Sequence, residues 1–494
     1  MSKYDYDVIV IGGGAAGLTA SGIAANFGAK TLLVEHNRLG GDCTWTGCVP
    51  SKILLKAGKV AQQIRKAGKY GLIDQKPKID FQKLIKHLHQ RRQQIYEEAD
   101  RPEIYEDMDI DVAFGNARFI NDHEIELEQE KQGIRSISAK YFFICAGSSP
   151  AVPPVEGIDT APYLTSESLF EIKNLPDELI IIGAGPVGIE MGQALGRLGS
   201  KVTVVDMADG IMVRDDAELA NMLRTYLENE GIQFVLNAHV KEVQMQDSGL
   251  AVDVLVDDTH QKELSGDKLL LATGRRANVD GLGLDEAGIS YSSKGIEVNE
   301  KCQTNQSHIY ACGDITGRYQ LTHMSEHMAK VAVTGALIKY PMKMDSDHIP
   351  WVTYTDPELG HIGATQKQLL DNNINFETYR FPFSKIDRAL TDSEEEGLIK
   401  IYAKKWNGKI YGVDILGARA GELISEYALA MRNGLTLRNI ADTIHPYPSY
   451  GLGARRAADQ WYIKNQSEWQ VKLIKKVFGY RGEVPDFSDS DRIL

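Results

Sequence analysis

The chain reads as an α/β protein with two Rossmann-like dinucleotide-binding domains followed by a C-terminal α+β segment. Three observations carry that reading. A unit of strand, glycine turn, helix, strand and terminal acid occurs twice. Beyond about Ile349 the pattern changes to alternating strands and helices without a glycine fingerprint. The 494 residues leave room for about three domains.

The first unit begins with the apolar, β-branched run Asp7-Val-Ile-Val-Ile11, which has the composition of a parallel strand buried on both faces. It enters Gly12-Gly13-Gly14-Ala15-Ala16-Gly17, then a small-residue helix to about Phe27, then a strand Thr31–Val34 ending on Glu35. Gly12 allows the tight turn, Gly14 lets backbone approach a pyrophosphate, and Gly17 allows close helix packing. The unpaired N–H groups of the helix start face phosphate, and Glu35 is placed to bond a ribose diol.

Next comes Gly40-Gly41-Asp42-Cys43-Thr44-Trp45-Thr46-Gly47-Cys48-Val49-Pro50-Ser51-Lys52. Four residues separate its two cysteines. In a regular helix that spacing is a rise of roughly 7.5 Å, whereas a disulfide needs Cα atoms within about 7 Å. A bonded pair must therefore leave ideal helix geometry, which Gly47 and Pro50 permit. Strained, accessible disulfides are the readily reduced ones; two unrelated buried thiols are the other reading. A helix from about Ser51 to Ala67 follows, then a charged one from about Asp80 to Ala99, whose His87 and His89 read as surface residues. Strands lead to Tyr141–Ser148, and Pro150, Pro153 and Pro154 mark a boundary.

The second unit repeats the first. Leu179–Ile182 enters Gly183-Ala184-Gly185-Pro186-Val187-Gly188, then a helix, then Lys201–Val205 ending on Asp206. In both copies the acid lies 18 residues after the third glycine. Self-similarity of this kind points to two dinucleotide sites, and a cysteine pair between them suggests an electron relay. Asp206 would accept from a ribose 2′-hydroxyl and repel a 2′-phosphate, so NAD(H) is preferred over NADP(H); the nearest following arginine is Arg214. Leu269–Arg276 closes this domain, and Ile309–Asp314 is a strand ending on Gly-Asp. Asp314 can hold a polyol hydroxyl or be a plain turn residue. Cys145, Cys302 and Cys312 have no metal-ligand spacing and read as core or surface thiols; no metal site is expected.

Composition narrows the function. The chain is 43% hydrophobic and 25% charged, an ordinary globular balance. Its net charge of −13 argues against a general nucleic-acid binder. It has no apolar run long enough for a transmembrane helix, and its polar start does not read as a signal peptide. Five cysteines, sparse and odd in number, fit a reducing cytoplasm with one redox pair. The tail from Lys464 mixes Trp469, Val471, Leu473, Ile474, Val477 and Phe478 with Lys472, Lys475 and Lys476. It reads first as packing against the body and second as a peripheral membrane contact.

These residues resemble the class I pyridine nucleotide–disulfide oxidoreductases, FAD enzymes that include dihydrolipoamide dehydrogenase, glutathione reductase and mercuric reductase. The resemblance covers about residues 5 to 463. It is carried by Gly12–Gly17, Cys43–Lys52, Gly183–Glu190, Ala272–Arg275, Ala311–Asp314 and His445-Pro446. Gly421–Glu426 and Thr355–Glu358 look like the mercuric reductase and lipoamide dehydrogenase members. The resemblance implies an FAD domain from 1–155 and 276–348, an NAD(P) domain at 156–275, a dimerisation domain at 349–463 and a tail at 464–494. It implies a homodimer, and FAD and nucleotide contacts at Gly12, Gly14, Ala15, Ala16, Gly17, Glu35, Gly41, Asp42, Lys52, Ala146, Gly147, Gly183, Gly185, Val187, Gly188, Asp206, Gly274, Gly313 and Asp314.

The implied reaction carries electrons between NAD(P)H and a small disulfide or dithiol through FAD and a redox-active Cys43–Cys48 pair. Cys48 is the sulfur facing the flavin and Cys43 the interchange thiol. Lys52 and Glu190 match the ion pair beside the flavin. His445 of the partner subunit is the acid–base group. Alternatives are a mercuric ion, quinone or other metal reductase on the same relay, and a slow redox-sensing flavoprotein. Three departures stand out. Tyr450 stands where members carry a Glu that orients the His. Asp42, expected to raise the Cys43 thiol, and Trp45 replace other residues of the motif. The tail lacks the C-terminal cysteine pair typical of mercuric reductases.

Overall fold

The computed structural model describes residues 3–247 and 249–485. It forms two compact units, one of residues 1–207 with 231–344 and one of 208–230 with 345–494.

The first unit opens with β1 (Tyr6–Ile11), α1 (Ala15–Asn26) and β2 (Thr31–Glu35). The dithiol stretch folds as α2 (Gly41–Trp45) and α3 (Cys48–Arg65), followed by α4 (Phe81–Ile95) and α5 (Pro102–Glu106). Strands β3 (Ile110–Phe114), β4 (Asn116–Asn121), β5 (Glu124–Gln129) and β6 (Gly133–Ile144) complete a sheet of order β3-β2-β1-β6-β5-β4. β6 changes partner along its length. Its first half pairs antiparallel with β5 and is largely exposed; its second half pairs parallel with β1 and is largely buried. Strand β7 (Ser148–Pro150) leads out of this sheet.

The repeat follows as β8 (Glu178–Ile182), α6 (Pro186–Leu198) and β9 (Lys201–Val205). Helix α7 (Ala217–Asn229) groups with the second unit although it lies within the 156–275 stretch. The chain then returns through β10 (Gln233–Val235), the antiparallel trio β11 (Ala238–Gln246), β12 (Gly249–Val256) and β13 (His260–Gly266), and β14 (Lys268–Leu271). The second parallel sheet has the order β10-β9-β8-β14, the same arrangement as β3-β2-β1-β6. Strand β15 (Arg275–Ala277) pairs back onto β7, β16 (Tyr291–Ser292) and β17 (Gly295–Ile296) form a ribbon, and β18 (Ile309–Ala311) joins β6 in parallel ahead of α8 (Thr322–Ile338). Both β1 and β8 are covered on both faces, which accounts for their unbroken apolar runs.

The second unit is an antiparallel sheet, β19-β20-β23-β22-β21, built from β19 (Pro350–Thr353), β20 (Glu358–Gly363), β21 (Glu377–Pro382), β22 (Leu398–Ala403) and β23 (Ile410–Gly417). Helices α9 (Gln366–Asp371), α10 (Asp387–Asp392), α11 (Ala420–Arg432), α12 (Leu437–Asp442), α13 (Gly451–Asn465) and α14 (Glu468–Phe478) accompany it. Tyr379, Phe381, Ile399, Ile401, Ile415 and Tyr427 fill its core. Asp216 ties α7 to this sheet. Its carboxylate accepts from the Leu219 N–H at 3.1 Å, from Lys400 Nζ at 2.7 Å and from the Tyr402 hydroxyl at 2.8 Å, all three partners buried.

Two helix boundaries differ from expectation. α3 begins at Cys48 rather than Ser51, because a proline in the first helical turn, here Pro50, forfeits no hydrogen bond. The charged helix ends at Ile95 in a π turn over Tyr96–Asp100. On it His87 is exposed, whereas His89 is partly covered and hydrogen-bonds the Phe170 carbonyl at 3.0 Å. No helix of the described residues is long and apolar enough to cross a membrane.

Candidate active site

The two glycine turns are built alike. Gly12 N–H donates to the Val34 carbonyl at 2.8 Å and Gly183 N–H to Val205 at 2.8 Å. Both glycines have positive φ, +105° and +112°, and a Cβ would meet the Cys145 or Ala272 carbonyl oxygen at 2.3 Å. Gly17 and Gly188 allow the helix to touch its own turn, since a Cβ would lie 1.7 or 2.0 Å from the Gly12 or Gly183 oxygen. The acid of each copy closes the turn. Glu35 accepts from the Gly13 N–H at 2.7 Å and Asp206 from the Ala184 N–H at 2.6 Å. Burial pushes the Glu35 carboxyl up, but hydrogen bonds from His36, Gly13 and Asn37 together hold it below the usual range. A carboxylate has about four acceptor positions, so these bonds leave capacity for a ribose hydroxyl.

The cradle suits a pyrophosphate. Gly14 and Gly41 face each other so closely that a Cβ on Gly41 would lie 2.7 Å from the Gly14 Cα, and nothing stands within 4 Å of a Cβ on Gly185 or Gly274. Gly14 and Gly185 are the N-caps of α1 and α6, neither with an acid in its first turn. Bare helix starts with small residues around them are what a dinucleotide's phosphates require. Ala15, Ala16 and the half-exposed Val187 lie in those first turns. Ala146 and Gly147 follow β6, where their carbonyls accept from Asn278 at 2.8 and 3.1 Å. The residues present thus fit FAD at the first turn and a nicotinamide nucleotide at the second.

The cysteines sit on two short-spaced helices. Gly47 breaks the helix between them; a Cβ there would lie 2.9 Å from the Asp42 carbonyl oxygen. Cys43 lies on α2, and Cys48 is the first residue of the 18-residue α3. The two side chains are hydrogen-bonded to each other. That bond splits their acidities. Cys48 is lowered to about 6, chiefly by the Cys43 hydrogen bond, with help from Thr322 and Lys52 against burial. Cys43 is pushed far above the ordinary thiol, by the same bond and then by burial. The Thr322 hydroxyl, at the start of α8, lies 3.4 Å from the Cys48 sulfur. A thiol at a helix N-terminus near a lysine is the expected setting for a stable thiolate.

Lys52 and Glu190 form the expected ion pair, Nζ to Oε2 at 2.9 Å, joining α3 to α6. Close packing of these helices makes the pair reachable: a Cβ on Gly58 would lie 3.1 Å from the Ala194 carbonyl oxygen.

Asp42 corrects one expectation. It is paired with Arg275, and the rise of the Cys43 thiol comes from Cys48 and burial instead. The same guanidinium donates from Nε to Ser148 Oγ at 2.7 Å, whose hydroxyl donates to Asp314 Oδ2 at 2.7 Å. Burial raises the Asp314 carboxyl; Ser148 and Arg275 oppose it. Asp314 follows Gly313, which has φ +80°, at the end of β18. Trp45 anchors α2: it is buried, its Nε1 donates to the Leu39 carbonyl at 2.7 Å, and Arg38 stacks on its ring at 3.6 Å. A groove of about 930 Å³ beside it, lined by Arg38, Lys86, Arg92 and Glu171, does not reach either cysteine.

In the second unit, His445 Nδ1 donates to the Thr443 carbonyl at 2.9 Å and Nε2 lies 2.8 Å from Glu426 Oε1 on α11. The carboxylate expected a few residues beyond the histidine is therefore replaced by one 19 residues before it. Tyr450 is buried and donates to Asp392 Oδ2 at 3.1 Å. Cys145, Cys302 and Cys312 are all buried. Among the described residues Asp122, His123 and His308 come close enough to hold a metal. The two imidazoles stack face to face at 3.9 Å, however, and each donates one N–H to a backbone carbonyl. Their remaining lone pairs lie in nearly parallel planes, so the arrangement reads as a packed ring pair.

Sequence reasoning missed Thr322, Arg275, Ser148 and Glu426. Glu426, Arg275 and Ser148 stood inside stretches that attracted notice; Thr322 has no local signature.

Residues 6–329 match the pyridine nucleotide-disulphide oxidoreductase family and residues 349–457 its dimerisation domain. A dihydrolipoyl dehydrogenase of Bacillus subtilis is 33% identical over 465 residues, 92% of this chain and 97% of that protein. A mercuric reductase of Lysinibacillus sphaericus is 31% identical, covering 93% of this chain and 83% of that one. The Cu(II) complex of the HOCl-induced flavoprotein disulfide reductase RclA from Escherichia coli superposes with a TM-score of 0.83 at 27% identity, over 93% of this chain and all of that one. With its FAD cradle, its nucleotide turn and its dimerisation domain, the chain belongs to the pyridine nucleotide-disulphide oxidoreductases, as a homodimeric flavoprotein oxidoreductase acting on sulfur groups.

Proposed function

We propose that the protein is an NADH-linked disulfide reductase, or dithiol oxidase in reverse, whose relay is Cys48 and Cys43. The observation that carries this is the setting of Cys48, which begins α3 beside Cys43, lies 3.4 Å from the Thr322 hydroxyl and has the Lys52–Glu190 pair one helical turn on. FAD supplies the two-electron chemistry between nicotinamide and sulfur.

Each residue then has a defined task. The α6 turn, Gly183, Gly185 and Gly188, binds the nucleotide's phosphates, and Asp206 selects a ribose carrying a free 2′-hydroxyl. Lys52, fixed by Glu190, places a positive charge near Cys48 and favours its thiolate. Thr322 donates to the same sulfur. Cys43 keeps its proton until a base removes it, then attacks the substrate disulfide. That base is His445 of the partner subunit, a group suited to proton transfer near neutrality. Glu426 orients the imidazole from within its own chain. The domain limits 1–155 with 276–348, 156–275 and 349–463 belong to this proposal, as does a cytoplasmic setting that would keep the relay reducible.

The test is NAD-linked oxidation of dihydrolipoamide, followed as NADH formation. A fast rate supports the relay and places the substrate with the lipoamide group; no rate with flavin bound refutes that substrate, and small disulfides with NADH come next. A second reading, reduction of a soft metal ion, draws on the adjacent thiol pair and on the Cu(II) complex of RclA. NADH oxidation driven by Cu(II) or Hg(II), and lost in Cys43→Ser, would favour it.

A further inference from the structure

Among the described residues nothing buries the helix at the end of the chain, and its composition says what covers it. α14 follows α13 after a two-residue break, Gln466 and Ser467. It is a deliberate helix. The Ser467 N–H donates to the Gln470 side chain at 2.9 Å. At the other end Gly479, with φ +71°, turns the chain, and the Tyr480 N–H returns to the Lys475 carbonyl at 3.0 Å. No residue of α14 is buried among the described residues, so packing against the chain's own body leaves this helix largely uncovered.

The faces are sorted. At about 100° per residue, Trp469, Leu473, Ile474, Val477 and Phe478 fall on one broad arc, with Val471 at its edge. Glu468, Lys472, Lys475 and Lys476 occupy the remainder. Gln470 is the polar exception on the apolar arc, and it is the residue that caps the helix start. Those five apolar side chains are between 47% and 66% exposed. A short helix with an apolar arc rich in Trp, Leu and Phe, and lysines confined to the other, is the form that lies in a bilayer interface. The lysines are opposite in sign to the chain's net charge of −13, so attraction to anionic lipid is a property of this helix and not of the molecule.

We infer that α14 is a peripheral anchor that holds the enzyme on an anionic lipid surface. The apolar arc enters the acyl boundary, the lysines stay at the headgroups, and Trp469 and Tyr480 lie at interfacial depth.

The experiment uses the full-length, FAD-loaded dimer with vesicles of phosphatidylcholine alone or mixed equally with phosphatidylglycerol. Wild type should float with the anionic vesicles, bind them at least about ten-fold tighter than neutral ones, and release in high salt. Changing Lys472, Lys475 and Lys476 to Gln should weaken anionic binding by roughly five-fold per lysine. Leu473→Glu with Val477→Glu should abolish binding to both, with flavin absorbance unchanged. Brominated lipid should quench part of the wild-type tryptophan emission, and Trp469→Phe should remove that part. Wild type that stays unbound, or a Glu variant that binds equally well, would overturn the inference. So would a Glu variant that sediments as a monomer, since α14 would then cover the second copy.

Discussion

Replacing Thr322 by Val should raise the Cys48 thiol by roughly one pKa unit. The hydroxyl lies 3.4 Å from the sulfur and is among the groups that bring it down to about 6. A hydrogen bond to a charged group contributes about 1.5 kcal/mol at the lower end, and one pKa unit corresponds to roughly 1.36 kcal/mol. The sulfur acceptor and the long distance keep the effect at that lower end. At pH 7 the thiolate would fall from about nine-tenths of the reduced protein to about half. The assay is thiolate absorbance of the NADH-reduced protein against pH, with the long-wavelength flavin–thiolate band followed alongside. Thr322→Ser restores the hydroxyl and should restore the wild-type midpoint. An unchanged midpoint in the valine variant, or a shift equally large in the serine variant, would refute the assignment.

Glu426→Gln should slow turnover about ten-fold or more, because the imidazole loses the carboxylate that holds it at 2.8 Å; Tyr450→Phe, whose hydroxyl bonds Asp392 instead, should leave turnover within about two-fold of wild type. If Asp206, the acid that follows β9, takes the ribose 2′-hydroxyl as proposed, the specificity constant should favour NADH over NADPH, and a preference for NADPH would contradict that role. Asp215 predicts a pH-dependent stability. It is half-buried beside Trp351, His361 and Asp414, and loss of solvent around it raises its carboxyl to about 6. The folded state therefore favours the protonated form. That stabilisation is complete below about pH 4, is lost as pH rises through 6, and amounts to ~3 kcal/mol. Thermal melts should show Asp215→Asn stabilised at pH 8 relative to wild type and equal to it near pH 4; parallel melting curves would refute this.

Local chemistry made the nucleotide turns legible. Gly12, Gly17, Gly183 and Gly188 are each required by a contact under 2.5 Å from a would-be Cβ, so turn and residue type correspond one to one. The same holds for the Cys43–Cys48 spacing, because the break at Gly47 is a backbone event. What escaped was set by the return of distant chain. Thr322 reaches Cys48 from a helix 274 residues away, and Arg275 reaches Asp42 across 233. Glu426 is the instructive case. The absence of an acid after His445 was visible, but its replacement depends on how α11 lies against the His445 loop, and periodicity carries no such information. The grouping of α7 with the second unit is of the same kind: Asp216 meets Lys400 and Tyr402 only once the antiparallel sheet exists.

The account rests on electrons passing through Cys48 to Cys43, and the most direct measurement compares the anaerobic NADH-reduced spectra of wild type, Cys48→Ser and Cys43→Ser. It predicts a long-wavelength flavin–thiolate band in wild type and in Cys43→Ser and none in Cys48→Ser. A band that survives in Cys48→Ser and vanishes in Cys43→Ser would contradict it.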